Sequence, residues 1–269
     1  MRERLSRRRF LSVGGLGVSG FLVSRGPVVA RQRPAAAGAA DAAVIDDLVV
    51  ANLILAHEQV VDAFGHVSVR HPARPDRFLL ARSVAPALVT SADLLEYDLD
   101  ANPIDARGRA SYRERFIHSE IYRARSDVKS VVHCHAASLI PFGVTGVPLR
   151  PIYHQSAFIA EGIPVFEIRD VAGMTDMLIG DIRLGRALAQ TLGSRPALLM
   201  RGHGAVIVGD SIPTAVGRSV YLDVSARAQT QAMALGGKIT YLDAEEARRY
   251  IAPNNYERAW EMWKRQVSR

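Results

Sequence analysis

The sequence predicts a single layered α/β domain, on three observations. From residue 42 onward, segments of helical apolar spacing alternate with short β-branched runs. The first strands follow one another like a hairpin, which argues against a purely parallel, doubly wound sheet. Of 269 residues, 48% are apolar and 23% charged, the balance of a globular chain that buries a core without staples. The single cysteine, Cys134, excludes a disulfide framework and a cysteine-rich zinc module.

Apolar residues recur at helical spacing from Ala42 to Phe64 (Ile45, Leu48, Val49, Leu53, Ala56, Val60), and Gly65 ends the predicted helix. Strands are predicted at Val67–Arg70, Phe78–Ala81 and Leu95–Leu99, the last closed by Asp100-Ala101-Asn102-Pro103. A helix spans Glu114–Arg125, a strand Ser130–His135, a strand Pro164–Ile168, and a helix Leu184–Leu192 stopped by Gly193. Strands Ala197–Met200 and Ala205–Val208 flank Arg201-Gly202-His203-Gly204. Ser211 reads as the N-cap of a long helix to about Leu235, with Pro213 in its first turn. A last helix runs from Ala244 towards Trp263, interrupted near Pro253.

The net charge of +7 sits at one end. Residues 1–40 hold eight arginines against Glu3, leaving 26 of the 34 bases against 26 of the 27 acids in the rest of the chain. A neutral body gives no electrostatic footprint for nucleic acid. The basic cluster precedes an apolar, glycine-rich stretch, Leu11–Val23, and then an Ala/Pro/Arg run, the order of an export signal. Ser6-Arg7-Arg8-Arg9-Phe10-Leu11 resembles a twin-arginine signal. Residues 1–40 are expected to be leader and cleavage region, with cleavage after Ala30 or near Ala40, and residues 41–269 the exported, periplasmic domain. About a dozen apolar residues fall short of the ~20 that span a bilayer, so no stable membrane insertion is expected after cleavage. A basic tail or a membrane anchor is the bland alternative.

Five of the eight histidines lie between Arg115 and Gly204. Strand alternation puts His133 and His135 on one face and Cys134 on the other. Two imidazoles on one face can grip a divalent ion, and His203, between glycines in a tight turn, is the candidate third ligand. Two ordinary core or surface histidines would show the same pair.

Read together, Glu114, His118, Arg125-Ser126-Asp127, Val131-Val132-His133-Cys134-His135 and Gly202-His203-Gly204 resemble the class II aldolase and adducin family. Gly65-His66-Val67-Ser68-Val69-Arg70 and Thr90-Ser91-Ala92-Asp93-Leu94 resemble further family stretches in the right order. The resemblance covers nearly all of residues 44–250. It implies a three-layer α/β/α sandwich around a mixed, largely antiparallel sheet, with His133, His135 and His203 as metal ligands and Glu114 as the catalytic acid/base. It further implies one divalent ion per chain, zinc foremost with manganese, cobalt or iron compatible, and a homotetramer acting on a small molecule. The ion's work would be to stabilise the enolate left when a C–C bond breaks. An acid complementing a helix N-terminus is the plain alternative for Glu114.

The phosphate-cradling hydroxyls of sugar-phosphate aldolases are largely replaced. This chain has His66, Arg82-Ser83-Val84-Ala85-Pro86, and Tyr112-Arg113 at those places. Arginine grips carboxylates in a two-pronged contact, so Arg82 and Arg113 become candidate substrate residues for an unphosphorylated, carboxylate-bearing hydroxy or keto acid. Glu114–His135 and Pro148–His154 are similar to a subgroup with hydroxy-methyl-pyridine-dicarboxylate decarboxylase and aminocoumarin-pathway enzymes, pointing to decarboxylation or retro-aldol cleavage. An Fe(II) oxygenase on the same histidines and a non-catalytic adducin-like module are the alternatives. Tyr153 and His154 either line the pocket or pack beneath it, and His118 is either a partner behind the site or a core group. Cys134 reads as buried filler. His57 and His71 read as surface residues, Tyr256, Trp260 and Trp263 as core or subunit packing, and Glu245-Glu246 with Arg248-Arg249 as a solvated helix face.

Overall fold

Alternating apolar side chains set a seven-stranded sheet in the computed structural model, which describes residues 42–251 and 256–268. The expected leader at 1–40 lies outside the described residues. The strands are β1 (His66–Arg70), β2 (Arg77–Ala81), β3 (Leu94–Asp98), β4 (Ser130–Cys134), β5 (Val165–Phe166), β6 (Ala197–Met200) and β7 (Gly204–Gly209). Their order is β3-β2-β1-β4-β7-β6-β5. Neighbours are antiparallel except β5 and β6. That is the expected mixed, largely antiparallel sheet.

Helices cover both faces. Val67, Val69, Val132, Cys134, Leu199 and Ile207 point to one side, against α1 (Ala42–His57), α6 (Ile212–Ala234) and α8 (Glu257–Val267). Phe78, Leu80, Val131, Leu198, Val206 and Val208 point to the other, against α2 (Arg115–Ala124) and α5 (Ile182–Leu192). Short helices α3 (Ile140–Val144), α4 (Arg169–Ala172) and α7 (Ala244–Ile251) complete the domain. Among the described residues, no helix is long and apolar enough to cross a membrane.

The caps follow the sequence. Ser211 Oγ accepts from the Thr214 N–H at the start of α6, with Pro213 in the first turn, and Asp181 accepts from the Leu184 N–H at the start of α5. Arg70, buried at the end of β1, donates to the carbonyls of Pro75, Tyr122, Arg125 and Val128, tying the C-terminal end of α2 to the sheet.

Several boundaries differ from expectation. The first helix stops at His57, because Gln59 takes a positive φ of 61° and the chain turns while Val60 stays buried in the core. Apolar periodicity continued through that turn and so concealed it. The predicted strand at 164–168 shrinks to Val165–Phe166, and Ile168 caps α4 instead. His71 is not at the surface: it is 1% exposed, and its Nδ1 accepts the backbone N–H groups of Ala73 and Arg74. His57 is exposed as expected, Glu245, Glu246, Arg248 and Arg249 lie on a solvated face, and Tyr256, Trp260 and Trp263 are buried.

Candidate metal centre

Three elements deliver the site. Strand β4 carries His133 at its end and His135 just beyond, on the same face. The β6–β7 turn carries His203, and the residue preceding α2 is Glu114. That turn needs its glycines. Gly202 has φ 63°, and a Cβ on Gly204 would stand 2.0 Å from the Cys134 carbonyl oxygen. The bare Gly204 backbone lets the turn lie against β4, which brings His203 beside His133.

The four ligand atoms of Glu114, His133, His135 and His203 lie within 4.8 Å of one another. His135 Nε2 is 3.0 Å from His133 Nε2 and 3.1 Å from His203 Nε2. Glu114 Oε2 is 3.4 Å from both His133 Nε2 and His203 Nε2. Four of the six separations thus fall at 3.0–3.4 Å, the range spanned by ligands that share one small cation.

Hydrogen bonds behind the rings fix their protons. His133 Nδ1 donates to the Ala205 carbonyl at 3.1 Å, and His203 Nδ1 to the Met177 carbonyl at 3.0 Å. Carbonyls only accept, so in the neutral rings both Nε2 atoms are bare lone pairs. His135 Nε2 can donate to only one of them. A cation at the centre satisfies all three, and backbone carbonyls behind ligand imidazoles are the usual orienting partners. The donor set fits a divalent metal.

Glu114 does not cap α2 with its side chain. Its Oε1 accepts the Ile179 N–H at 2.9 Å, which leaves Oε2 facing the histidines. Burial pushes this carboxyl up, and the His133 and His203 imidazoles outweigh it, holding Glu114 well below the ordinary carboxylate range. Burial likewise opposes charge on His203, but Glu114 raises it above its ordinary value. Burial, reinforced by His133 and His203, pushes His135 down to about 4.

The loop before α5 thus holds two site residues through its backbone, at Met177 and Ile179. Arg113 Nη1 pins that loop through Asp176 Oδ2 at 2.7 Å. Arg82 Nε is paired with Asp93 Oδ1 at 2.6 Å. Both arginines therefore already hold a protein carboxylate. Tyr153 and His154 sit against α7 rather than beside the four residues: the His154 ring meets Tyr250 at 4.9 Å and Tyr153 at 5.8 Å. The Tyr153 hydroxyl is buried, and burial pushes it up. Cys134 faces the opposite core, and burial pushes its thiol up to about 12.

Sequence reasoning passed over the backbone of Met177 and Ile179, and no side-chain motif marks such contacts. His66 is read from the sequence within a family-like stretch and as a departure at the phosphate place, not as a site residue. The alternation His66, Ser68, Arg70 against Val67 and Val69 was the signal that a polar face of β1 enters the site.

The family described as Class II Aldolase and Adducin N-terminal domain matches residues 46–230. Decarboxylase tropJ of Talaromyces stipitatus is 38% identical over 239 residues, covering 80% of this chain and 90% of its own length. The 3,4-dihydroxyphthalate decarboxylase of Arthrobacter keyseri is 28% identical over 201 residues, covering 69% and 77%. In fold, an L-fuculose 1-phosphate aldolase from Glaciozyma antarctica superposes with a TM-score of 0.67 at 23% identity, covering 83% of this chain and 86% of the other. On the family match and the tropJ likeness, the chain belongs to the class II aldolase and adducin family.

Proposed function

We propose that this protein is a divalent-metal-dependent carbon–carbon lyase that decarboxylates an unphosphorylated, aromatic hydroxy acid. One observation carries the reading: three imidazole nitrogens and one carboxylate oxygen gathered within 4.8 Å of one another. The decarboxylases among the relatives support the reaction class. Phe64 supports an aromatic substrate, because it is 65% exposed and its ring lies 6.3 Å from that of His135.

His133, His135 and His203 would hold the ion, and Glu114 stands beside it. A divalent ion bound there would supply Lewis-acid stabilisation of the oxyanion that develops as CO2 departs. Glu114 Oε1 is held by the Ile179 N–H, so Oε2 is the atom that handles protons. Held ionised, it takes the proton of the substrate hydroxyl. Breaking the carbon–carboxylate bond leaves the electron pair on the ring carbon, and Glu114 returns the proton to that carbon. Glu114 and His133 are themselves buried, which strengthens the electrostatics between them.

The test is metal analysis of the purified protein, followed by CO2 release from 3,4-dihydroxyphthalate and related hydroxy aromatic acids, with dissolved oxygen monitored. About one ion per chain and CO2 release without oxygen uptake are expected. Oxygen consumption tied to turnover, or full turnover by Glu114→Gln, overturns the mechanism.

A further inference from the structure

A second row of imidazoles stands beside the four-residue cluster. His66 faces His133 across the β1–β4 ladder, their rings 5.1 Å apart, so it shares the site's face. Tyr112 packs on the His66 ring at 4.6 Å. Behind it runs a buried chain: His66 Nδ1 is 2.7 Å from His118 Nε2, His118 Nδ1 is 2.6 Å from Ser68 Oγ, and Ser68 Oγ is 2.8 Å from the Tyr122 hydroxyl. All four residues are buried.

A chain of single protons runs in one sense, and its far end decides which. The Tyr122 hydroxyl has two acceptors in reach, Ser68 Oγ at 2.8 Å and the Lys129 carbonyl at 3.5 Å. The shorter bond takes the proton. Ser68 then donates to His118 Nδ1, and neutral His118 carries its proton on Nε2 and donates to His66 Nδ1. His66 is left with its proton on Nε2. The opposite sense would leave the tyrosine proton on the 3.5 Å contact. Among the described residues, no group accepts from His66 Nε2.

We propose that His66 binds the substrate's carboxylate through its Nε2–H, and that His118 is the positioning residue that fixes this tautomer. A neutral donor serves better here than an imidazolium, which the adjacent cation would repel. The substrate class rests on the proposed function, whereas the tautomer does not.

The experiment uses the full chain loaded with zinc. Nitrogen-15 spectra of the histidines, with His66 assigned by loss of its signal in His66→Gln, should show His66 protonated at Nε2 and bare at Nδ1. Protonation at Nδ1 overturns the proposal. Calorimetry with 3,4-dihydroxybenzoate as probe then reads binding. His66→Leu and His118→Leu should weaken it about tenfold or more, and the donor-keeping His66→Gln and His118→Gln should stay within about threefold of wild type. Wild type that does not bind the probe, or His66→Leu that binds it equally well, overturns the proposal. Zinc content of each variant shows that the centre is intact. Wild type that binds zinc and probe yet releases no CO2 from any hydroxy acid sinks the proposed function alone.

Discussion

The two faces of β1 and β4 are built on opposite plans. Val67, Val69, Val132 and Cys134 enter a predominantly apolar layer against α1, α6 and α8. One residue out of phase, His66, Ser68, Arg70 and His133 bring buried polar groups into the opposite layer, and α2 answers them with His118 and Tyr122. The dry face draws stability from area removed from water. The polar face spends conformational freedom on fixing proton positions, which apolar packing cannot do. A strand of period two lets one segment serve both ends.

Substitutions can break this division of labour. The largest effect falls on the site: His135→Ala should remove the ion and lower turnover by about a thousandfold or more. Thermal unfolding of the metal-free proteins should differ little, since His135 is only half-buried. Ile207→Ala on the dry face should do the reverse, costing about 2–5 kcal/mol of stability by denaturant titration while turnover per folded molecule persists. If Ile207→Ala instead lost zinc at unchanged stability, the faces would not be separable.

Smaller changes sharpen the comparison. Ser68→Ala strands His118 Nδ1 and leaves the Tyr122 hydroxyl only its 3.5 Å contact with the Lys129 carbonyl, without emptying much volume, and should cost about 1–3 kcal/mol. Asp181→Ala removes a helix cap remote from the proton chain and should cost about 0.5–2 kcal/mol, with zinc affinity unchanged. The smallest effect is an acid one. The Thr90 hydroxyl, then its N–H and Arg82, hold Asp93 below its ordinary value against burial. A carboxylate lowered in the folded state adds stability above its unfolded pKa, about 3.9, and loses it as pH falls through the folded value. Thr90→Val should therefore reduce stability at pH 7 and flatten its fall below pH 4.

Much of this was legible because it was periodic or punctuated. Ser211 and Pro213 opened α6 as expected, strand alternation separated His133 from Cys134, and the glycines around His203 marked the turn that the close approach to Cys134 demands. The helix end at His57 was not legible, because burial of Val60 and Val61 mimics one more turn. His71 misled for a different reason: its Nδ1 accepts backbone N–H groups two and three residues ahead, which no side-chain pattern marks. The Met177 and Ile179 contacts are illegible in the same way. His118 stood open between two readings, and only its place opposite Ser68 and His66 resolved it.

Cys134 lies between two proposed ligands and is sealed in the opposite core, with 0% exposure. As the only thiol in the chain, it makes alkylation rate a direct clock for how often β4 parts from its neighbours. Labelling should be slow in the native protein and slower still when zinc pins His133 and His135. One reagent then reports the breathing of the strand on which the centre is mounted.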